Sequence, residues 1–163
     1  MNHEGYIELL KSKFERHFKI DTDIELLGTR IDMTASFSDV SGRTFITKND
    51  IIDRYENHEY CYIKKYHELS EEDINQFISF LKKVVDERVK PGKDHMSTYV
   101  TGVVIAGNAT DTIRKIVEKH SYSRAYSFYL RGWCDVRLVL VDLADNQVVT
   151  NKAGKRLIKV YQF

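Results

Sequence analysis

EYCYIKKYHELSEEDINQFISFLKKVVDERVKPGKDHMSTYVTGVVIA, residues 59–106, decides the fold. It predicts a strand over Tyr60–Tyr66, a helix over Glu71–Arg88, a break at Pro91-Gly92 and a second strand over Tyr99–Ala106. Ser70 is a good N-cap, and Asp73 stands where an acidic side chain can reach back to it. Leu69 and Ile74 have the spacing of a hydrophobic staple. Glu71, Glu72 and Asp73 place negative charge at the positive end of the helix dipole. Ile74, Phe77, Ile78, Leu81, Val84 and Val85 recur at steps of three and four, making one buried stripe. Lys82, Lys83, Asp86 and Glu87 keep the opposite side wet. Tyr99–Ala106 is β-branched and uncharged, as a strand covered on both faces should be. A connection this long between two strands predicts parallel pairing in a βαβ unit.

Outward from this unit, Tyr6, Leu9, Leu10, Phe14 and Phe18 fall on one face of an opening helix over Glu4–Phe18. Ile24–Ser38 reads as strand, with Gly28 marking a bend or a turn between two shorter strands. Beyond it Ile31, Met33, Ala35 and Phe37 alternate against Arg30, Asp32, Thr34 and Ser36. Ser41-Gly42 predicts a turn, Thr44–Thr47 a returning strand, and Asn49–His58 a brief helix capped by Asn49. After Ala106, Asn108 is the expected cap of a helix carrying Ile113, Ile116 and Val117. Tyr122–Leu130, Trp133–Leu143, Gln147–Thr150 and Leu157–Phe163 then read as strands of an antiparallel meander. The expected fold is a single α/β domain over residues 1–163: a mixed central sheet flanked by helices, with that meander at its C-terminal end.

Composition sets the class of protein more than its task. Twenty-five Lys and Arg residues against 24 acidic ones leave a formal net charge of +1. Any surface for a charged partner must therefore be local. Two cysteines far apart, Cys61 and Cys134, form no ligand pair and predict a reduced, cytoplasmic protein. No leader-like segment opens the chain and no apolar run is long enough to span a bilayer, so no membrane role is expected. There is no P-loop, no glycine-rich dinucleotide turn and no G-x-S-x-G elbow. Cys61 between His58 and His67 reads as a small apolar filler rather than a nucleophile.

One resemblance organises these elements. The segment YCYIKKYHELSEEDINQFISFLKKV (60–84), followed by YVTGVVIAGNATDTIRKIVEKH (99–120), is similar to Mrr-like members of the PD-(D/E)XK, or restriction-endonuclease-like, superfamily. It covers about half the chain. The resemblance implies an aspartate on one strand and an acid-x-lysine on the next, holding a divalent cation against a phosphodiester. Asp32 matches the aspartate, as metal ligand and catalytic residue, and Lys64 or Lys65 matches the lysine. The acid between them is absent, since Tyr62 and Ile63 stand two residues before these lysines. Glu59, or Glu72 on the following helix, is the replacement the resemblance allows, with Mg²⁺ as cofactor if the chain cleaves.

A second cluster is aromatic and basic. Arg124, Tyr126, Tyr129, Arg131, Trp133 and Arg137 lie close together around Gly132, the composition of a stacking surface for DNA or RNA. Strand parity divides them unless the chain bends at Gly132. The expected function is thus a nucleic-acid-interacting domain of degenerate restriction-endonuclease-like fold. The alternatives are a protein-interaction module acting as a homodimer and a Mg²⁺-dependent nuclease.

Overall fold

A computed structural model describes residues 1–44 and 51–163. The order is α1 (His3–Phe14), β1 (Lys19–Leu26), β2 (Thr29–Thr44), β3 (Ile51–Tyr66), α2 (Glu71–Arg88), β4 (His95–Ala106), α3 (Asp111–Lys119), β5 (Ser123–Ala125), β6 (Trp133–Asp142) and β7 (Gln147–Thr150). A 3-10 helix (Lys152–Leu157) and α4 (Ile158–Tyr161) close the chain. All the described strands join one sheet in the order β1-β2-β3-β4-β6-β5, with β7 also paired to β6. β1, β2 and β3 are antiparallel to one another, whereas β3, β4 and β6 run parallel.

The β3–α2–β4 unit forms as the sequence predicts, with Tyr60 opposite Val100 and Tyr66 opposite Ala106. At the start of α2 the Ser70 hydroxyl accepts from the Asp73 amide at 3.1 Å, and Asp73 accepts from the Ser70 amide at 3.0 Å. Ile74, Phe77, Ile78, Phe80, Leu81, Val84 and Val85 are buried. At about 1.5–3 kcal/mol per large buried side chain, this face far outweighs the ~0.3–1 kcal/mol of each favourable first-turn charge. The helix sits close because Gly102 of β4 has no side chain. A Cβ there would press on Leu81 and come within 3.0 Å of the Phe77 ring.

The sheet separates two cores. One lies under α2 and α3 and takes Tyr62, Val100, Val104, Val136, Leu138 and Leu140. The other takes Met33, Ala35, Cys61, Ile63, Val103, Ile105, Val139 and Val141, covered by Tyr6, Leu10 and Phe14 of α1 and Tyr161 of α4. The Tyr6 hydroxyl donates to the Tyr161 carbonyl, and Lys13 Nζ donates to the Val160 and Gln162 carbonyls at 3.0 and 3.1 Å, so the two chain ends hold each other.

Several expectations are corrected. Residues 51–58 are strand, not helix: β3 pairs with β2 from Thr44 opposite Ile51 through Asp39 opposite Asn57. A helix of three apolar residues would be marginal alone, whereas extending the hairpin satisfies the same backbone groups. Ser41 and Gly42 lie within β2, opposite Tyr55 and Arg54, and make no turn. The expected cap Asn49 and the return over 45–47 lie outside the described residues. Leu27 and Gly28, at φ 51° and 74°, do form the turn between β1 and β2. Thr110, not Asn108, caps α3, its hydroxyl accepting from the Ile113 amide at 3.3 Å. The last strand is instead the 3-10 helix and α4. Asn151 starts them, accepting from the Gly154 amide at 3.0 Å while its Nδ2 donates to Val136 at 3.0 Å. Leu157 and Tyr161 alternate in sequence but also stand four residues apart, and that helical spacing is the one used against the core.

Gly102→Ala is expected to force Leu81 and Phe77 apart and to lower stability by about 1–3 kcal/mol. Urea unfolding followed by circular dichroism measures it.

Candidate functional site

Asp32 stands where β2 changes face. Ile31 packs into the α2-side core, but Met33 and Ala35 pack into the α1-side core. Asp32 lines a small pocket with Glu4, Ile7, Glu8 and Lys11 of α1, together with Thr22, Asp23 and Lys65. Asp32 and Met33 therefore face the same layer, and the simple alternation expected through Ile31 is broken here. β2–β3 pairing reaches only Met33 opposite Ile63. Beyond it the Asp32 side chain takes over, accepting from the Lys65 backbone amide at 2.8 Å. On β1, Asp23 at φ 51° accommodates the same twist.

The lysine that meets Asp32 is Lys65, not Lys64. Lys65 Nζ lies 3.1 Å from Glu4 and 3.9 Å from Asp32. Its hydrogen bond holds the Glu4 carboxyl below the usual carboxylate range. Lys64 points to the other layer, where it donates to the Arg30 carbonyl at 2.7 Å and lines a groove with Asp73, Gln76 and Phe77 of α2. Glu72 is exposed on α2, accepting from Gln76 at 3.0 Å. Glu59 is elsewhere on β3. Asp32, Lys64, Glu59 and Glu72 are thus not brought into one cleft. Ile63, at the position of the missing acid, is buried. Among the described residues no three His, Cys, Asp or Glu side chains converge as a metal cage. Glu4, Glu8 and Asp23 stand around Asp32 but do not converge into the oxygen shell that Mg²⁺ requires, and the cation between Glu4 and Asp32 is a lysine of the chain itself.

Glu59 joins a different expected residue, Arg137. Arg137 lies flat on the Tyr99 ring, 3.3 Å from its centre, and its Nη1 donates to Glu59 at 3.4 Å. Register places Glu59, Tyr99 and Asp135 in one row across the sheet and Cys61, Thr101 and Arg137 two rows on. Arg137 Nε and Thr101 Oγ1 are buried without a hydrogen-bond partner. Burial pushes the Glu59 carboxyl up, and the Arg137 charge only partly opposes it. Burial also pushes the Cys61 thiol up to about 12. That keeps it a thiol and agrees with its reading as filler.

The remaining members of the aromatic and basic cluster are divided. Arg124 is paired to Asp86 at 2.6 Å, and Tyr126 packs edge-on against His95 on the α2 side. Only β5, Ser123–Ala125, realises the strand expected over Tyr122–Leu130. Residues 126–132 instead form a tight projecting turn. Ser127, Phe128 and Tyr129 lie in the left-handed region at φ 49°, 53° and 69°. Phe128 is 97 % exposed, Tyr129 71 % and Leu130 84 %. The turn is braced from below. The Arg131 amide donates to the Tyr126 carbonyl at 3.1 Å and the Tyr126 amide to the Gly132 carbonyl at 3.0 Å. His95 Nδ1 donates to the Arg131 carbonyl at 2.6 Å, and Nε2 meets the Thr98 hydroxyl at 2.8 Å. Gly132, at φ 78°, is required there, because a Cβ would overlap the Met96 carbonyl.

The family model for the domain of unknown function DUF8052 matches residues 2–163. The chain belongs to the DUF8052 family. A comparison with curated proteins gives no match. Family membership thus spans the sheet, its helices and all three clusters, and assigns no reaction to any of them.

Glu4, Tyr99, Thr101, Phe128 and Leu130 enter these clusters without being singled out by sequence. Glu4 is an ordinary first-turn acid, and only the packing of α1 over β2 and β3 takes it to Lys65. Phe128 and Leu130 fall within the strand expected over Tyr122–Leu130, and a strand reading gives no sign of the exposed turn that carries them.

Because Glu59 binds its proton more tightly in the folded state than unfolded, protonation there stabilises the fold. That contribution is complete below the ordinary carboxylate range and is lost as pH rises through the site's higher value. Glu59→Gln is expected to remove this part of the pH dependence. Urea midpoints measured across the acidic range test it; an unchanged profile contradicts the burial argument.

Proposed function

We propose that this domain interacts with nucleic acid and uses a restriction-endonuclease-like architecture without cleaving its ligand. Support for the architecture comes from the strand order: an antiparallel hairpin bearing Asp32, a lysine-tipped strand beside it, and a parallel crossover through α2 to a buried strand. The observation that carries the loss of cleavage is Lys65. Its ammonium stands between Glu4 and Asp32, where the resemblance implies a divalent cation. The position that the resemblance gives to the motif acid is the buried Ile63, so the acid that shares this lysine with Asp32 is Glu4 of α1.

With a formal net charge of +1, binding must draw on few phosphate contacts. Arg124 beside the projecting turn is paired to Asp86, which leaves Arg131, and one neutralised phosphate on a single strand gives a log–log salt slope of about −0.7. A second reading, a protein-interaction or oligomerisation module, is favoured by the exposure of Phe128 and Leu130.

Fluorescence anisotropy with labelled oligonucleotides at low salt tests the proposal. Binding that weakens with this shallow slope, and no cleavage with Mg²⁺ or Mn²⁺, is the expected result. Metal-dependent cleavage that disappears in Asp32→Ala overturns the non-catalytic assignment. Failure to bind at about 50 mM salt, together with a concentration-dependent dimer in light scattering, replaces it with the second reading.

A further inference from the structure

We infer that the turn over residues 126–132 is a preformed stacking tip for unpaired bases, which makes the ligand of this domain a single strand rather than a duplex. The inference rests on the nucleic-acid reading above and names its ligand class and contact residues.

Three observations carry it. First, the backbone is held where L-residues resist going. Ser127, Phe128 and Tyr129 are consecutive and all left-handed, a conformation in which the Cβ of an L-residue crowds the following carbonyl. Such strain persists only where the surroundings impose it. Here His95, Gly132 and the Met96 carbonyl impose it from below.

Second, what the strained segment displays is Phe128, Tyr129 and Leu130, each more than two-thirds exposed. Aromatic faces stack on any base, so a ligand with free π-faces is recognised without sequence preference. Bases inside a duplex have no free faces to offer.

Third, area and charge disfavour the other occupants. A buried aromatic side chain contributes about 150–250 Å², so the two rings and Leu130 together fall short of the ~800 Å² per partner of a stable protein interface. Arg124 is already paired to Asp86, which leaves Arg131 as the main cation at the tip. That is too little charge for a duplex held by its phosphates. Stacking must therefore carry the affinity, with Phe128 and Tyr129 taking neighbouring bases and Arg131 a phosphate beside them. A fixed turn also loses little freedom on binding.

Trp133, the single tryptophan, follows Gly132 directly and pairs with Ala125 at the base of the turn. It provides a reporter without labelling the protein. Wild type, Phe128→Ala, Tyr129→Ala and the double variant are titrated with an oligothymidylate of about 15 nucleotides and with a duplex of equal length, following Trp133 emission and anisotropy. Both side chains are exposed, so the variants should melt like wild type, and a thermal melt confirms it. The expected result is tighter binding of the single strand than of the duplex. Each substitution should weaken the single strand between about fivefold and a hundredfold and leave duplex binding unchanged. Equal binding by wild type and the double variant overturns the tip and leaves nucleic-acid binding standing. A preference for duplex overturns the ligand class. Absence of binding to either oligonucleotide at low salt removes the nucleic-acid reading, and the tip with it.

Discussion

β4 is the strand the other elements answer to. From Ser97 to Ala106 it is paired in parallel on both sides, with β3 and with β6, and most of its side chains are buried. A parallel strand inside a sheet must be covered above and below. That requirement sends α2 and α3 to one face and α1 and α4 to the other. It also explains Gly102, the place where α2 comes too close for any side chain. The hydrogen bonds between the chain termini follow from the same demand: α1 and α4 together cover one face only if they hold each other, which Tyr6 and Lys13 arrange.

Burial on both faces is uneven along the parallel strands, and the functional questions arise where it fails. Toward the C-terminal end of β3, pairing with β2 stops at Ile63, and Asp32 and Lys65 meet across the opening. Farther toward the N-terminal end, Glu59, Tyr99 and Arg137 are only half-buried, and an ion pair occupies what elsewhere would be Val or Ile. Removing two charges from water is costly, and their attraction compensates only with good hydrogen bonding. The 3.4 Å contact and the unpartnered Arg137 Nε fall short of that standard. The upward shift of Glu59 is the direct expression of the deficit.

Much of the framework was legible because local signals agreed. Ser70, Asp73 and the stripe from Ile74 to Val85 specify the same helix by capping, charge and periodicity, and the parallel crossover follows from its length. Where a single signal stood alone, it misled. Asn49 suggested a cap, yet the backbone after Ile51 belongs to a hairpin whose pairing no local pattern announces. Leu157, Lys159, Tyr161 and Phe163 alternate like a strand, but Asn151 commits the chain to a helical turn through bonds to β6 that sequence does not reveal. Asp32 lies on the strand beside the lysine-bearing one, and of the two lysines the resemblance offers it is Lys65 that meets Asp32, while Lys64 turns to the other layer. The face switch at Asp32 is tertiary, arising where two strands part, and periodicity of two cannot encode it.

The turn after β5 combines two features that stability alone disfavours. Left-handed L-residues and exposed apolar side chains each raise the free energy of the folded state relative to a polar, glycine-containing loop of equal length. Glycine is present at residue 132, where a clash demands it, but not at residues 127–129, where it would relieve strain. The brace of His95, Thr98 and Met96 then holds the strained segment rather than letting it relax. Register sets this tip at the opposite end of the parallel strands from Asp32 and Lys65, since Trp133 pairs with Ser97 and Val141 with Ile105. At about 3.3 Å per residue the two places are roughly 25 Å apart. The projecting turn and the Asp32 corner are therefore two separate places on the domain, and the lysine between Glu4 and Asp32 belongs to the second alone.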